Sequence, residues 1–298
     1  MIKKLVAVTL LAILIWGAYS LYSVLTSPPK LTARWGTVTA ETTEILLSGE
    51  WNTSPYIPAS IDGIDLKLME ENIGSAENIT IGKNVTAVIR IDNGNLVDAL
   101  FKYLDNGQRG TLEVTVREKL FGFVGLTFSM KREVSVDVLG KLNFTAESKP
   151  ILGGIAYSPE LLGTKVSWGG QRGGRGIFIV DMDFYNPNSF PIPLSNLSFD
   201  LYANGVKVGT GYLPKSTVIP ARGYARVRAV VGLDKDALPE AWALHVRNGE
   251  VSRVTAKMKL SLKVLGRRVE IPLPPIEQTV KTNALEYVNE ALSKLARR

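Results

Sequence analysis

Beyond its N-terminal stretch, the chain alternates apolar and polar residues with a period of two. Val254, Ala256, Met258, Leu260, Leu262 and Val264 alternate with Arg253, Thr255, Lys257, Lys259, Ser261 and Lys263, so one face of an extended segment turns to a core and the other to water. Ile177 to Tyr185 reads the same way, with Phe178, Val180, Met182 and Phe184 on one side and Ile179, Asp181 and Asp183 on the other. Turn residues follow at Asn186-Pro187-Asn188 and at Asn204-Gly205. Short alternating strands separated by such turns predict a mainly β protein built of β-sandwiches.

The pattern occurs twice. Ile61-x-x-Ile64-x-Leu66-x-Leu68 returns as Leu194-x-x-Leu197-x-Phe199-x-Leu201, and the same displacement superposes Trp35-Gly36 on Trp168-Gly169 and Pro58 on Pro191. Further along, Ile89 and Ile91 fall on Val231 and Leu233, Ala99 on Ala241, and Asn106-Gly107 on Asn248-Gly249, once extra residues around Asn204 to Tyr212 are allowed for. Solenoid units repeat every ~20–50 residues, so a longer period indicates a duplicated domain. Each copy holds one short helical stretch: Leu96 to Leu104 behind a cap at Asn95, and Ala237 to Val246 behind a cap at Asp236, both closed by Asn-Gly. A third, Thr282 to Leu295, carries Leu285, Val288, Leu292 and Leu295 as a stripe; it is expected to pack on its own domain, with a partner helix or a membrane surface as the other uses.

Leu5 to Leu25 contains no charged residue and as a helix reaches about 31 Å, one hydrocarbon core. Lys3 and Lys4 precede it, Tyr19 and Tyr22 suit an interfacial belt, and Pro28-Pro29 stops it. Two fates stay open: a retained anchor, favoured because apolarity continues through Leu21, Val24 and Leu25, and a signal peptide cleaved near Ala18-Tyr19-Ser20. Either places the bulk of the chain outside, in the first case on a single-pass cell-membrane protein with a cytoplasmic N-terminus. Sequons at Asn52, Asn78, Asn84, Asn143 and Asn196 are compatible with glycosylation there. The expected division is an anchor at 1–29, a first sandwich at 30–149, a linker at 150–163 rich in Gly and Pro, a second sandwich at 164–282 and an amphipathic helix at 283–298.

Composition narrows the chemistry. The 298 residues, 45% of them hydrophobic, suffice for two cores. The absence of cysteine excludes disulfides, thiolate metal sites and cysteine nucleophiles, and the single His245 excludes a histidine-dyad metal site. Glutamine at only three positions, 108, 171 and 278, beside abundant charge is a heat-adapted pattern. A formal charge of +7 permits attraction to anionic surfaces without indicating nucleic acid. Asp181 and Asp183 share a strand face as paired acids do, but no third ligand is legible. Gly169 to Gly176 resembles a phosphate loop in composition alone, and His245 has no legible serine or acid partner. Arg253, Lys257, Lys259 and Lys263, with Arg222, Arg226 and Arg228, read as a solvated protective face, or else as a surface for anionic lipid, cell-wall polymer or glycan. Aromatic interleaving expected of a nucleic-acid platform is absent. No catalytic, cofactor or metal residue is assigned.

The run Asp183 to Gly205, with Asn186-Pro187-Asn188, Pro191, Leu194, Leu197, Phe199 and Gly205, followed by Ile219-Pro220 and Gly223, resembles the late embryogenesis abundant type 2 family and its water stress and hypersensitive response domain. The resemblance covers about Thr164 to Thr282. The first copy is degenerate: Trp51 to Pro58 lacks Asn-Pro-Asn, and the Gly-containing hairpin is missing. The resemblance implies a seven-stranded sandwich of fibronectin or immunoglobulin type with a short helix, in a family linked to desiccation and stress and not known for catalysis. The motif residues themselves are expected to serve structure, with Pro fixing φ and Asn satisfying local backbone groups. Expected function is therefore non-enzymatic: tethered modules that contact envelope components or labile proteins. One alternative is lipid binding or transfer through an apolar groove lined by Trp242 and its neighbours, which a filled core excludes. Another is a surface scaffold or adhesion module.

Overall fold

A computed structural model describes Ile15 and residues 30–50, 59–80, 84–120, 124–194, 197–264 and 267–295. The expected anchor Leu5–Leu25 lies outside the described residues except at Ile15, as do Trp51–Pro58, Asn52 and Asn196. Among the described residues no helix is long and apolar enough to cross a membrane. The architecture is mainly β, as the alternation predicts, with a few short helices.

The described chain forms two compact units that do not follow the expected boundaries. One takes the chain up to Asp92, Thr111–Arg132 and the chain from Asn283; the other takes Asn93–Gly110 and Glu133–Thr282. In the first unit, strands β1 (Lys30–Val38), β2 (Thr42–Glu50), β3 (Ala59–Leu68), β4 (Glu71–Thr80), β5 (Asn84–Asp92), β6 (Arg109–Leu120) and β7 (Val124–Ser135) form one sheet in the order β1-β2-β5-β4-β3-β6-β7. Ala33, Ile45, Leu47, Val85 and Ala87 bury the apolar phase of the alternation. The C-terminal helix, Ala284–Leu295, packs on edge strand β1, not on the second copy that precedes it in sequence. Its Asn289 accepts from the Ala33 N–H at 2.7 Å and donates to the Ala33 carbonyl at 3.1 Å, pairing an edge residue as a neighbouring strand would.

The second unit contains β10 (Glu160–Arg172), β11 (Arg175–Tyr185), β13 (Leu197–Ala203), β14 (Val206–Tyr212), β16 (Tyr224–Asp234), β17 (Val251–Val264), β18 (Arg267–Pro272) and β19 (Ile276–Lys281). Their order is β10-β11-β16-β14-β13-β17-β18, and β19 also pairs with β17. Long β17 serves two neighbours along one edge, β19 over Val251–Ala256 and β18 over Lys259–Val264. Small antiparallel pairs, β8 (Pro150–Ile151) with β9 (Ala156–Tyr157) and β12 (Ile192–Leu194) with β15 (Thr217–Ile219), flank this sheet. Thus hydrogen bonds join the main strands of each unit into one continuous, curled sheet. A long antiparallel sheet satisfies the same alternation by twisting and curling, helped here by register shifts after Leu161 and Trp168.

The residues flanking the expected linker are hydrogen-bonded to the second unit. Ala146 and Leu161 exchange backbone hydrogen bonds of 2.9 and 2.8 Å. Thr164 accepts from the Phe144 N–H at 2.9 Å, while its own N–H donates to the Asn143 side chain at 2.8 Å. Leu142, Phe144 and Ala146 pack against the second unit's core.

The two large sheets share one strand order: taking their strands in chain order, β1-β2-β5-β4-β3-β6-β7 corresponds to β10-β11-β16-β14-β13-β17-β18. A helix follows the counterparts β5 and β16 in each case, α1 (Asn93–Asp105) and α2 (Leu238–Arg247), and both close on a glycine with positive φ, Gly107 and Gly249. The start sites differ from expectation. Helix α1 begins at Asn93, ahead of Asn95, and before α2 the side chain of Asp234, not Asp236, accepts from a backbone N–H across a preceding 3-10 turn. Gly74 and Gly209 are equivalent too, since each sits where a Cβ meets a backbone carbonyl of the adjacent strand, that of Arg90 and of Gly232. Gly209→Ala is therefore expected to destabilise the protein by about 1–3 kcal/mol, read as a lower urea midpoint at unchanged slope.

Candidate functional site

Because the second sheet curls, the inward phase of its strands converges on one space. A cavity of about 370 Å³ lies there, with Val166 of β10, Met182 of β11, Val231 of β16, Val208 of β14, Phe199 of β13, Met258 of β17 and Ile276 of β19 among its walls. Thr164 and Gln278 are the two polar residues in a lining that is otherwise apolar, and the Thr164 hydroxyl is already engaged with Leu142 and Phe144. Size decides what this space is. One water needs about 10–15 Å³, so this volume is far larger than a packing gap. The space has the size and apolarity of a small-molecule pocket.

Helix α1 helps close it. Leu100, Phe101 and Leu104 face the cavity, and the Phe101 ring lies 5.4 Å from that of Trp168. Asp105, at the end of α1, accepts from Trp168 Nε1 at 2.5 Å and from the Gln171 amide at 2.6 Å, and Asp98 pairs with Lys235. From α2, Leu238 lines the cavity; Trp242, the expected lining residue, stacks instead on His245 at 5.7 Å. A second cavity of about 470 Å³ shares Leu197, Met258 and Ile276 with the first but also carries Glu147, Lys149, Ser158 and Glu277, so its wall is half polar.

The family-motif residues form a knot at one end of this sheet. Fully buried Asn186 donates to the carbonyls of Phe190 at 2.8 Å, Pro220 at 3.0 Å and Ile219 at 3.4 Å. Its Oδ1 accepts from the Asn188 N–H at 3.0 Å and the Asn188 amide at 2.8 Å, and its own N–H donates to the Gly223 carbonyl. Asn188 in turn binds both backbone groups of Tyr157 at 2.8 Å, while its carbonyl accepts from Arg222. Pro187 separates the two asparagines, Pro191 is exposed, and Gly205 completes a two-residue turn with Asn204 at φ of 89° and 51°. Leu194, Leu197 and Phe199 are buried, the last two in the cavity wall. Pairing of the asparagine side chains with three loops was not legible from spacing.

His245 does have partners, a buried Ser252 and an exposed Thr282. Nδ1 meets Ser252 Oγ and Nε2 meets Thr282 Oγ1, each at 2.8 Å, and Thr282 donates to Glu250 at 2.9 Å. Burial pushes the imidazole pKa below its ordinary value, against a smaller opposing pull from Glu250. Ser252 lies two strand positions before Val254, and this adjacency was the available sequence signal; Thr282 comes from a distant strand end.

The remaining candidates resolve into surface chemistry. Arg228 and Arg226 grip Asp181 and Asp183 with paired hydrogen bonds of 2.7–3.0 Å, which hold both carboxyl pKa values below the usual range. Among the described residues no group of three or more His, Asp or Glu is arranged to hold a metal. Arg253 pairs with Glu277, and Lys257 lies 4.6 Å over the Tyr202 ring, so part of the basic stripe is neutralised or stacked. Gly170, Gly173 and Gly174 form the β10–β11 hairpin end and open no helix. Asn84 and Asn143 are exposed; Asn78 lies on β4.

Residues 181–275, which hold the asparagine knot and much of the cavity wall, match the family model described as "Late embryogenesis abundant protein". Among solved structures, one described as "Crystal structure of protein from Archaeoglobus fulgidus" is 21% identical, covering 41% of this chain and 98% of that one with a TM-score of 0.32. A solution structure of a protein from Arabidopsis thaliana is 17% identical, covering 46% of this chain and 92% of that one with a TM-score of 0.30. No curated protein matches the sequence.

Asn186→Ala strips a partner from the carbonyls of Phe190, Ile219 and Pro220 and from the Asn188 N–H, and is expected to cost about 3 kcal/mol, measured by urea unfolding. For His245 the folded pKa lies below the unfolded value of about 6.5, so the unfolded chain takes up its proton first. Stability from this group is complete above about pH 6.5 and declines as pH falls toward the folded pKa. The melting temperature should fall across that window in the native protein and fall less in His245→Gln.

Proposed function

We propose that this chain is a non-enzymatic, membrane-tethered, stress- or desiccation-related protein with two late embryogenesis abundant type 2 modules outside the membrane, the second of which binds lipid. The single observation behind the lipid assignment is the cavity of about 370 Å³ inside a curled sheet, lined by apolar side chains apart from Thr164 and Gln278. Contact with envelope polymers or labile client proteins through the outer surface requires no interior space; an acyl chain does. Within the pocket the driving force is burial of apolar area, about 0.8 kcal/mol per methylene.

Support for the stress-related role comes from the family match over residues 181–275, and for two modules from the identical strand order and the paired glycines. The uncharged run Leu5 to Leu25 supports the tether and the outside location. Filling the cavity tests the lipid assignment. Native mass spectrometry of the full chain extracted from membranes should carry lipid mass, and Ala256→Phe, which places a ring in the cavity, should lower its occupancy about tenfold while the melting temperature stays within a few degrees. Absence of lipid mass, together with no binding of a fluorescent long-chain fatty acid, overturns the assignment.

A further inference from the structure

Large apolar side chains gather in solvent at the end of the second unit that the asparagine knot organises. Tyr224 is 71% and Ile155 84% exposed, and Tyr157, Phe190 and Val218 are exposed beside them. The hydrogen bonds of the knot place them together: Asn188 holds the backbone of Tyr157, Asn186 holds the carbonyls of Phe190 and Pro220, and the Asn186 N–H holds Gly223, next to Tyr224. Register adds the rest, since Val218 pairs with Pro193 and Tyr224 pairs with Tyr185, their rings 4.9 Å apart. Two fully or nearly buried amides thus fix three loops so that each presents an apolar residue to water. Exposed apolar groups held rigidly in one patch mark an interaction surface.

We infer that this platform docks on the surface of an anionic lipid bilayer, an inference that rests on the lipid-binding reading of the same unit. Three features select a bilayer over a protein. Its rings are mainly tyrosines, with an apolar body and a polar tip that suit the water–lipid boundary. Exposed cations Lys149, Lys215 and Arg222 lie on the platform's loops and outnumber the acidic Glu147 and Glu160 there. Lastly, the half-polar cavity bordering it, lined by Glu147, Lys149, Ser158 and the Arg253-paired Glu277 next to Tyr157, shares Leu197, Met258 and Ile276 with the apolar cavity. A chain leaving the bilayer at this end meets a polar mouth first and the apolar interior beyond flexible Met258.

The absence of cysteine makes the test specific, because one introduced thiol is the only labelling site. In the full chain, an environment-sensitive fluorophore is placed singly at Val218→Cys, at Tyr224→Cys and, as a control, at Arg172→Cys. Arg172 is at the far end of the β10–β11 pair, about 33 Å from Tyr185 along the strand. With vesicles of phosphatidylcholine and phosphatidylglycerol containing chain-brominated lipid, the labels at 218 and 224 should be quenched roughly tenfold more than the label at 172, as expected for insertion to about 5–10 Å. Adding Ile155→Ser and Phe190→Ser to Tyr224→Cys should remove most of that difference. Equal quenching at the three positions overturns docking, and so does a concentration-dependent spectral shift without vesicles, which assigns the patch to a second copy. Adding Ala256→Phe separates the two claims: selective quenching that survives loss of lipid uptake supports docking independently of the cavity.

Discussion

Curling of a single antiparallel sheet is the constraint on which the second unit depends. Alternation gives every strand from β10 to β19 one apolar face, and a flat sheet leaves that face to be covered by a second layer. Here the sheet wraps until its own strands face one another, so Val166 at one edge and Ile276 at the other border the same space. Closure of this kind depends on places where the backbone can approach closely, such as Gly209 against Gly232, and where register slips, as after Trp168. The residual space is then a consequence of radius: side chains of Val, Leu, Phe and Met reach inward from a curled wall without filling its centre.

Helix α1 has a part in this that its sequence position conceals. It lies between strands β5 and β6 of the first sheet, yet its Leu100, Phe101 and Leu104 complete the wall of the second unit's cavity. Asp105 anchors it with two hydrogen bonds to Trp168 and Gln171, and the Phe101 ring leaves no room for a side chain at Gly176. In the first unit, Asn289 of the C-terminal helix binds both backbone groups of Ala33 on the edge strand. Each unit is thus completed by a helix that is distant in sequence from much of its sheet, which is why contiguous boundaries describe neither.

Polar burial is concentrated in two networks, and both are satisfied internally. Asn186 and Asn188 act as substitute backbone, pairing loops that have no strand geometry of their own. Ser252, His245, Thr282 and Glu250 tie α2, β17 and the end of β19 together through hydrogen bonds of 2.8–2.9 Å, with Ser252, His245 and Glu250 buried and Thr282 exposed. The first network ties together the loops that carry the exposed rings of Tyr157 and Phe190.

Sequence alone determined the strands and the turns, because period-two alternation and Asn-Gly or Asn-Pro-Asn punctuation are local properties: β11, β17 and the Asn204-Gly205 turn lie where Phe178 to Phe184, Val254 to Val264 and the dipeptide place them. It also marked the motif residues, since an asparagine flanking proline is a turn whatever surrounds it. Tertiary structure alone decided that the strands join one curled sheet, that Ala156 and Leu161 of the expected linker 150–163 are buried, and that Trp242 stacks on His245 while Leu238 lines the cavity. Those outcomes depend on which apolar faces meet and how tightly the sheet twists, quantities set by contacts between residues far apart in the chain. A cavity is the extreme case, because alternation says which side chains point inward and says nothing about how far apart they stop.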